Sequence, residues 1–333
     1  MHESRLRAAL ARHLGESPGR LPIGWSTLAQ PNGYRRRIRL SIFDAARVGF
    51  FNTAKSVDCS VLTESLRGIL HRLLDTSSRY TSALGALQHI ELREPDADHV
   101  ASAYIVKRDA EKPIDNQTIE QLGQWLDGMN WFIAGTARET PRQRLWLPTV
   151  WQWVPIGSFL QVNQAINSML VGDLVAGAKQ RGLSSFCDLY AGSGNFSLPL
   201  LANGLHGHAV ELDLEAGRAA SAAANAQDLT HAEFEHGDAG AFAVLALSPK
   251  RSFDLVIVDP PRAGIRNNLA SMASLARSHF VYCSCNPDTL ARDLAVLCLS
   301  NFEIQTIHLY DMFANTAHVE CVVWLRALNR ASH

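Results

Sequence analysis

The chain predicts an α/β fold whose C-terminal half is a doubly wound, seven-stranded mixed sheet, preceded by a smaller α+β domain. Three patterns carry that expectation. From about residue 156 onward, strand-length apolar runs alternate with helix-length amphipathic runs, as they do where crossover helices join the strands of one sheet. The last two strand-like runs, Ile304 to Leu309 and Cys321 to Arg326, follow each other with no helix between them, which supplies an antiparallel strand. Before residue 155 the alternation is lost, and half-buried strand patterns with covering helices take its place.

Composition bounds the class. At 333 residues and 47% hydrophobic content the chain fills two cores, giving expected domains at 1–155 and 156–333. No apolar run reaches the roughly 18 residues of a membrane span, and Met1 to Arg7 lacks the apolar stretch of a secretory signal. A cytoplasmic protein with no membrane partner is therefore expected, acting as a monomer. The cysteines, at 59, 187, 283, 285, 298 and 321, make neither a disulfide scaffold nor a Cys-x-x-Cys metal pair. With a formal net charge of -1, any nucleic-acid surface must be a local basic patch.

In the N-terminal part, Leu6, Leu10 and Leu14 at four-residue intervals predict a short amphipathic helix from Glu3 to Leu14. After the turn Pro31-Asn32-Gly33, the run Tyr34 to Phe43 reads as a half-buried strand, and Arg35, Arg36, Arg37 and Arg39 make it the strongest basic cluster in the chain. A solvated strand face and a phosphate-contacting surface explain it about equally well. Val48 to Asn52, His89 to Leu92, Ala101 to Val106 and Trp131 to Ala134 read as further strands, with a turn at 95–98 and a loop near Pro141. Val61 to Leu74 and Thr118 to Met129 read as helices.

The C-terminal part reads as helix Val162 to Arg181, strand Ser185 to Tyr190, helix Phe196 to Asn203, strand His206 to Leu212 and helix Leu214 to Gln227. Strand Ala232 to Glu235, helix Ala239 to Leu247, strand Phe253 to Asp259, helix Asn268 to Arg277, strand Phe280 to Ser284 and helix Thr289 to Leu299 follow, before the final strand pair. Two stretches at the ends of these strands carry chemistry. Gly192 and Gly194, just beyond the first strand, let the backbone approach a ligand, and Glu211, 17 positions after Gly194 at the end of the next strand, offers a carboxylate to ribose hydroxyls. Ser197 stands where a dinucleotide fingerprint has its third glycine, which favours an adenosyl sulfonium. Asp238, beyond the third strand, either reads an adenine amino group or caps a helix. The second stretch is Val281 to Leu294, where a buried strand ends in Cys285 and Asn286-Pro287 turns into a helix. Helix N-terminal amides facing Cys285 are expected to lower its pKa and make it a nucleophile, with Cys283 the structural thiol.

After the fourth strand, Asp259-Pro260-Pro261-Arg262-Ala263-Gly264 makes a stiff loop, and Glu320 opens the last strand. With Phe159 to Asn163, Asp188 to Pro199, Ser284-Cys285-Asn286-Pro287, Thr289 to Asp293, Asp311-Met312-Phe313 and Thr316 to Glu320, these stretches resemble the RNA uridine-5-methyltransferase family, which makes 5-methyluridine in tRNA and rRNA. The resemblance implies a Rossmann-like class I methyltransferase domain using S-adenosyl-L-methionine, with RNA as the partner. It implies that Gln161, Tyr190, Asn195, Glu211, Asp238 and Asp259, beside Gly192 and Gly194, contact the cofactor. Cys285 is implied as the nucleophile and Glu320 as the base that removes the C5 proton; Phe313 either packs against the uracil or is an aromatic of the core. The arginine strand is the candidate RNA contact. Many members also carry an N-terminal β-barrel and some an iron–sulfur cluster; neither is expected here, because only 33 residues precede the arginine strand and only Cys59 stands in the comparable place. Ala314 stands where the family usually has proline. A methyltransferase acting on a small heterocycle, or an RNA-binding protein without catalysis, are the alternatives.

Overall fold

The computed structural model describes residues 2–15, 22–29, 31–43, 47–50, 59–94, 101–136, 141–248 and 251–328. The chain opens with α1 (His2–Leu14) and β1 (Ile23–Ser26), followed by β2 (Arg37–Ile42), β3 (Val48–Gly49), α2 (Glu64–Thr76), α3 (Thr81–Gly85), β4 (Leu87–Arg93) and β5 (Ser102–Lys107). Then come α4 (Asn116–Trp125), β6 (Asn130–Ile133), β7 (Arg142–Trp146), β8 (Trp151–Pro155) and α5 (Gln164–Gln180). The remainder is β9 (Ser185–Leu189), α6 (Ser197–Ala202), β10 (His206–Glu211), α7 (Leu214–Asn225), β11 (Ala232–His236), α8 (Ala239–Leu247) and β12 (Phe253–Val258). It ends with α9 (Leu269–Ser274), β13 (Ala276–Ser284), α10 (Pro287–Leu299), β14 (Phe302–Tyr310) and β15 (Glu320–Ala327). The predicted turn at 95–98 and the end of the predicted strand at 51–52 lie outside the described residues.

The chain divides into two compact units, Met1–Ala29 with Trp146–Trp153 and Ala165–His333, and Gln30–Leu145 with Val154–Gln164. The division differs from a single cut near residue 155, because the first helix and strand belong with the C-terminal sheet. Leu6, Ala9 and Leu10 of α1 are fully buried in the same core as Leu290, Leu294 and Leu297 of α10. Each such leucine contributes about 2 kcal/mol of apolar burial, enough to tie a helix to a distant stretch of chain.

The first unit holds an eight-stranded sheet in the order β1-β14-β15-β13-β12-β9-β10-β11. All seven expected strands are present, and β1 is an eighth: it pairs parallel with β14, Ile23 opposite Ile307 and Ser26 opposite Tyr310. Four residues of mixed polarity show no period in the sequence; the open edge of β14 makes them a strand. β9, β10, β11, β12 and β13 run parallel, and β15 lies antiparallel between β13 and β14. The predicted helix through Arg277 stops at Ser274, because Ala276 already pairs with Phe253 of β12. Asp213 and Asn286 start α7 and α10 by accepting backbone amides, and Pro287 occupies the first turn of α10, where its missing N–H costs nothing.

The second unit is a five-stranded sheet, β3-β2-β4-β5-β6, antiparallel except for β5 with β6. Leu66, Leu70 and Leu73 of α2 and Leu122 and Trp125 of α4 fill its core, and the Trp125 indole donates to the Leu73 carbonyl at 3.1 Å. The loop expected near Pro141 is instead the start of β7, which pairs with β8 in a two-stranded ladder where the units divide.

Candidate active site

The site of the first unit lies at the carboxyl ends of β9, β10, β12 and β13, where a doubly wound sheet leaves backbone groups facing solvent. Gly192 and Gly194 have φ of +56° and +87° in the loop after β9. A side chain on Gly192 would meet nothing within 4 Å, so the loop leaves open space above it, whereas one on Gly194 would strike Leu198 at 2.8 Å. Tyr190 also takes a left-handed φ of +69°, which turns the chain sharply out of β9. Glu211 ties the two loops together: its Oε2 accepts from the Gly192 amide and its Oε1 from the Asp213 amide, both at 2.7 Å. Asn195 and Asn167 of α5 exchange side-chain hydrogen bonds of 2.8 and 3.1 Å.

Beneath the loop, Asp188 is fully buried, and its Oδ2 accepts from the Ser197 amide at 3.1 Å and hydroxyl at 2.5 Å. Its Oδ1 and the buried Ser193 hydroxyl have no partner. Burial, with the charges of Asp259 and Glu211, pushes Asp188 up to about 7 against the Ser197 hydrogen bonds. Burial pushes Tyr190 up to about 12, and the charges of Asp238 and Asp293 act in the same direction. Asp238 accepts from the Ala241 amide at 2.8 Å and so caps α8 with one oxygen.

The second half of the site comes from β13 and β15. They are antiparallel, and their ladder ends with Ser284 opposite Cys321. Cys285 is therefore the next residue beyond that pair on one chain segment and Glu320 the first residue of β15 on the other, with the Glu320 charge acting on the thiol. Glu320 is buried, and its Oε1 has no partner. Burial and the neighbouring Asp259 raise its pKa well above the usual carboxylate range, and burial raises Asp259 to about 6. The expected lowering of Cys285 is corrected: burial and the charge of Glu320 raise its pKa, and only the positive charge of the nearby Arg262 guanidinium pulls it down. The physical reason is local. The start of α10 is already capped by Asn286, whose Oδ1 accepts from the Asp288 amide at 3.2 Å, so desolvation outweighs the helix end.

The loop carrying Arg262 is fastened to α10. Its carbonyl accepts from Asn286 Nδ2 and Thr289 Oγ1, each at 3.2 Å, and Arg292 donates to the Ala263 carbonyl at 3.1 Å. Buried Asp293 accepts from the Ile265 amide at 2.7 Å, from the Tyr282 hydroxyl at 2.5 Å and from Arg292 Nε at 2.7 Å. Arg262, Asp188, Asp293, Tyr282 and Asn167 had no assigned role in the sequence reading. Asp188 and Asp293 had a signal, a carboxylate inside an apolar strand or on the leucine face of a helix; Arg262 and Asn167 are recognisable only by what they touch.

Phe313 is half-buried in the loop before β15, with its ring 6.1 Å from that of His318 at 76°. Gln161 and the arginine strand belong to the second unit. There Arg37 pairs with Glu91 at 2.5 Å, Arg35 Nε donates to the Arg37 carbonyl at 2.9 Å, and Arg39 contacts the His89 ring at 2.7 Å. Arg36 is half-buried. Glu91 also accepts from fully buried Arg93, which donates to the carbonyls of Pro155 and Ser158 and so anchors the segment leading to Gln161. Part of the basic cluster therefore holds the sheet together.

Residues 152–328 match the family model for tRNA (uracil-5-)-methyltransferases. The chain is 31% identical over 350 residues to the 23S rRNA (uracil(1939)-C(5))-methyltransferase RlmD of Pseudomonas putida, covering 98% of this chain and 76% of that protein. It is 30% identical over 346 residues to the RlmD of Klebsiella pneumoniae strain 342, covering 97% and 76%. Among solved structures, the Pyrococcus abyssi tRNA (uracil-54, C5)-methyltransferase in complex with S-adenosyl-L-homocysteine shares the fold, with a TM-score of 0.71, 24% identity and coverage of 98% of this chain and 83% of that one. The chain belongs to the tRNA (uracil-5-)-methyltransferase family, whose members are S-adenosylmethionine-dependent RNA uracil-C5 methyltransferases.

Proposed function

We propose that this protein methylates C5 of a uridine in RNA through a covalent adduct on Cys285, with Glu320 as the base. The observation that carries the reading is that a thiol and a buried, half-unpartnered carboxylate come together at the end of the β13–β15 ladder. The open space above Gly192, the carboxylate of Glu211 and the unpartnered Ser193 hydroxyl fit an adenosyl group. Tyr190 and Asn195 lie in that loop, and Asp238 and Asp259 just beyond β11 and β12; they are the proposed cofactor contacts of this unit, and Gln161, in the other unit, is proposed on the family resemblance alone. S-adenosylmethionine supplies an electrophilic methyl carbon on a sulfonium sulfur.

The remaining chemistry belongs to the chain. C5 of uracil is too weak a nucleophile to take a methyl group unaided. Arg262 stabilises the Cys285 thiolate, and the sulfur bonds to C6, which pushes electron density onto C5. C5 takes the methyl group as the methyl–sulfur bond breaks and leaves its electron pair on the sulfur, now a neutral thioether, and Glu320 then removes the C5 hydrogen as a proton. The electron pair left by that C–H bond re-forms the C5–C6 double bond, and the Cys285–C6 bond breaks. The base must leave its stack to reach the thiol, which requires an RNA structure that presents it. The unit of Gln30–Leu145 and Val154–Gln164 is proposed as the main RNA-recognition part, with Phe313 against the uracil.

Similarity to the RlmD proteins makes a 23S rRNA transcript the first RNA to test, with tRNA transcripts second. Incubated with labelled cofactor and 5-fluorouridine-containing RNA, the protein is expected to form a gel-stable adduct that Cys285→Ala abolishes. An adduct that survives in Cys285→Ala, or methylation of a free heterocycle in place of RNA, overturns the reading.

A further inference from the structure

Within its first thirteen described residues the chain carries Arg5, Arg7, Arg12, His2 and His13 against the single acid Glu3, although the whole protein has a net charge of -1. Arg5 and Arg12, seven positions apart, lie together on one flank of α1 beside the buried stripe of Leu6, Ala9 and Leu10, while Arg7 pairs with Glu3 on the other. The helix sits on α10, whose first turn follows Cys285. There Arg5 donates to Asp288 Oδ2 at 2.8 Å and Arg12 to Asp288 Oδ1 at 2.5 Å. Two guanidinium groups on one carboxylate leave a net positive charge, and their side chains remain 47% and 62% exposed.

The face continues onto β1. Gly24 and Ser26 are turned toward His308: a side chain on Gly24 would lie 2.3 Å from that ring, and the Ser26 hydroxyl is 2.9 Å from its Nε2. Trp25 therefore points the other way, 44% exposed, with the His2 ring stacked on it at 5.9 Å. His318, beside Phe313 and two residues before Glu320, stands within the fields of Arg262, Arg5 and His2, which, after burial, hold its pKa low. Arg262 reaches Cys285 itself. A cationic and aromatic border thus runs from the thiol across His318 and Arg5 to the His2–Trp25 stack and Arg12.

We propose that this border is an RNA-binding face: the strand flanking the target uridine lies over α1 and β1, with phosphates on Arg5 and Arg12 and a base stacked on Trp25. Positive charge beside an exposed aromatic ring is the combination that single-stranded nucleic acid recognises, with charge following the backbone and a ring accepting a base of any sequence. The inference rests on the reading of Cys285 and Glu320 given above, and it adds a contact surface that the arginine strand, partly engaged with Glu91 and His89, does not supply.

The test is RNA affinity of the full chain for a 23S rRNA transcript across a series of salt concentrations. Trp25→Ala is expected to weaken binding about tenfold. Arg5→Gln and Arg12→Gln are each expected to lower the slope of log affinity against log salt by about 0.7 to 0.9. S-adenosylmethionine binding and the circular dichroism spectrum are expected to be unchanged. Asp288→Asn separates charge from structure: it frees both arginines, so RNA binding stays equal or tightens, whereas loss of binding there assigns the arginines a purely structural role and overturns the proposal. Unchanged affinity and salt slope in the tryptophan and arginine variants overturn it as well. Adduct formation on Cys285 with 5-fluorouridine RNA keeps the two readings apart, since the parent protein forms it whether or not α1 touches RNA.

Discussion

Glu320, the proposed base, is buried with one carboxylate oxygen lacking a hydrogen-bond partner. Its unpartnered oxygen and raised pKa are unfavourable in a resting fold, and both suit a group that must accept a proton from carbon. As the proposed base it must be ionised to act, so turnover is expected to rise with pH on the acidic side as Glu320 loses its proton. Replacing it with Gln leaves addition of Cys285 and methyl transfer possible and blocks the last proton removal. Glu320→Gln is therefore expected to lower turnover at least about 100-fold and to accumulate a methylated RNA–protein adduct with ordinary uridine. Loss of turnover with no accumulated adduct on a denaturing gel refutes that assignment. Cys285 carries the complementary lesson: its place between strand and helix was legible, but its pKa was not. The groups that set it, Glu320 and Arg262, are 35 and 23 positions away in the chain.

Among elements, the loop from Asp259 to Ile265 and helix α10 behave as one piece. Two prolines stiffen the loop, and Asp293, Arg292, Asn286 and Thr289 fasten it, which places Arg262 against the thiol. Gly264 is the joint, with φ of +70°; a side chain there would meet Asp293 Oδ2 and Arg292 Nη2, each at 2.6 Å. Gly264→Ala is expected to cost about 1 to 2 kcal/mol from the left-handed backbone alone, more with the clash, and to lower kcat by displacing Arg262. Thermal melting and single-turnover rates check it, and wild-type values for both rule out the clamp. The glycine was visible in the motif; the need for it was not, because Asp293 becomes its neighbour only once α10 packs beneath the loop.

For the whole molecule, the carboxyl edge of the sheet concentrates Asp188, Asp259 and Glu320, all with raised pKa values because the sheet removes them from water. A carboxyl group whose pKa is higher folded than unfolded binds its proton more tightly in the native state. Its contribution is complete below about pH 4 and is lost as pH rises through the folded pKa. Asp254 works oppositely: against the pull of burial, Ser184 and Arg277 hold it well below the usual range, so its contribution is complete above about pH 5 and is lost progressively as pH falls through its folded pKa. The cofactor-free protein is accordingly expected to show a lower Tm at pH 8 than at pH 5.5, with Asp188→Asn removing part of the decline. Calorimetry across that range checks the sign, and a Tm that rises with pH contradicts it.

Much of this protein was legible in its sequence. Alternating strand and helix periods, glycines after the first strand, a cysteine between strand and helix, and an acid opening the last strand are local patterns. Each is written in neighbouring residues, and each marks an element or a strand end where α/β sheets place their chemistry. Tertiary structure alone decided the rest. It joined α1 and β1 to the C-terminal sheet, because burial of Leu6 and Leu10 and the open edge of β14 act across nearly the whole chain length. It also engaged part of the arginine cluster with Glu91 and His89, and set the charge of the Cys285 pocket through Arg262 and Glu320. Hydrogen bonds and desolvation depend on spatial neighbours, and the sequence lists only neighbours along the chain.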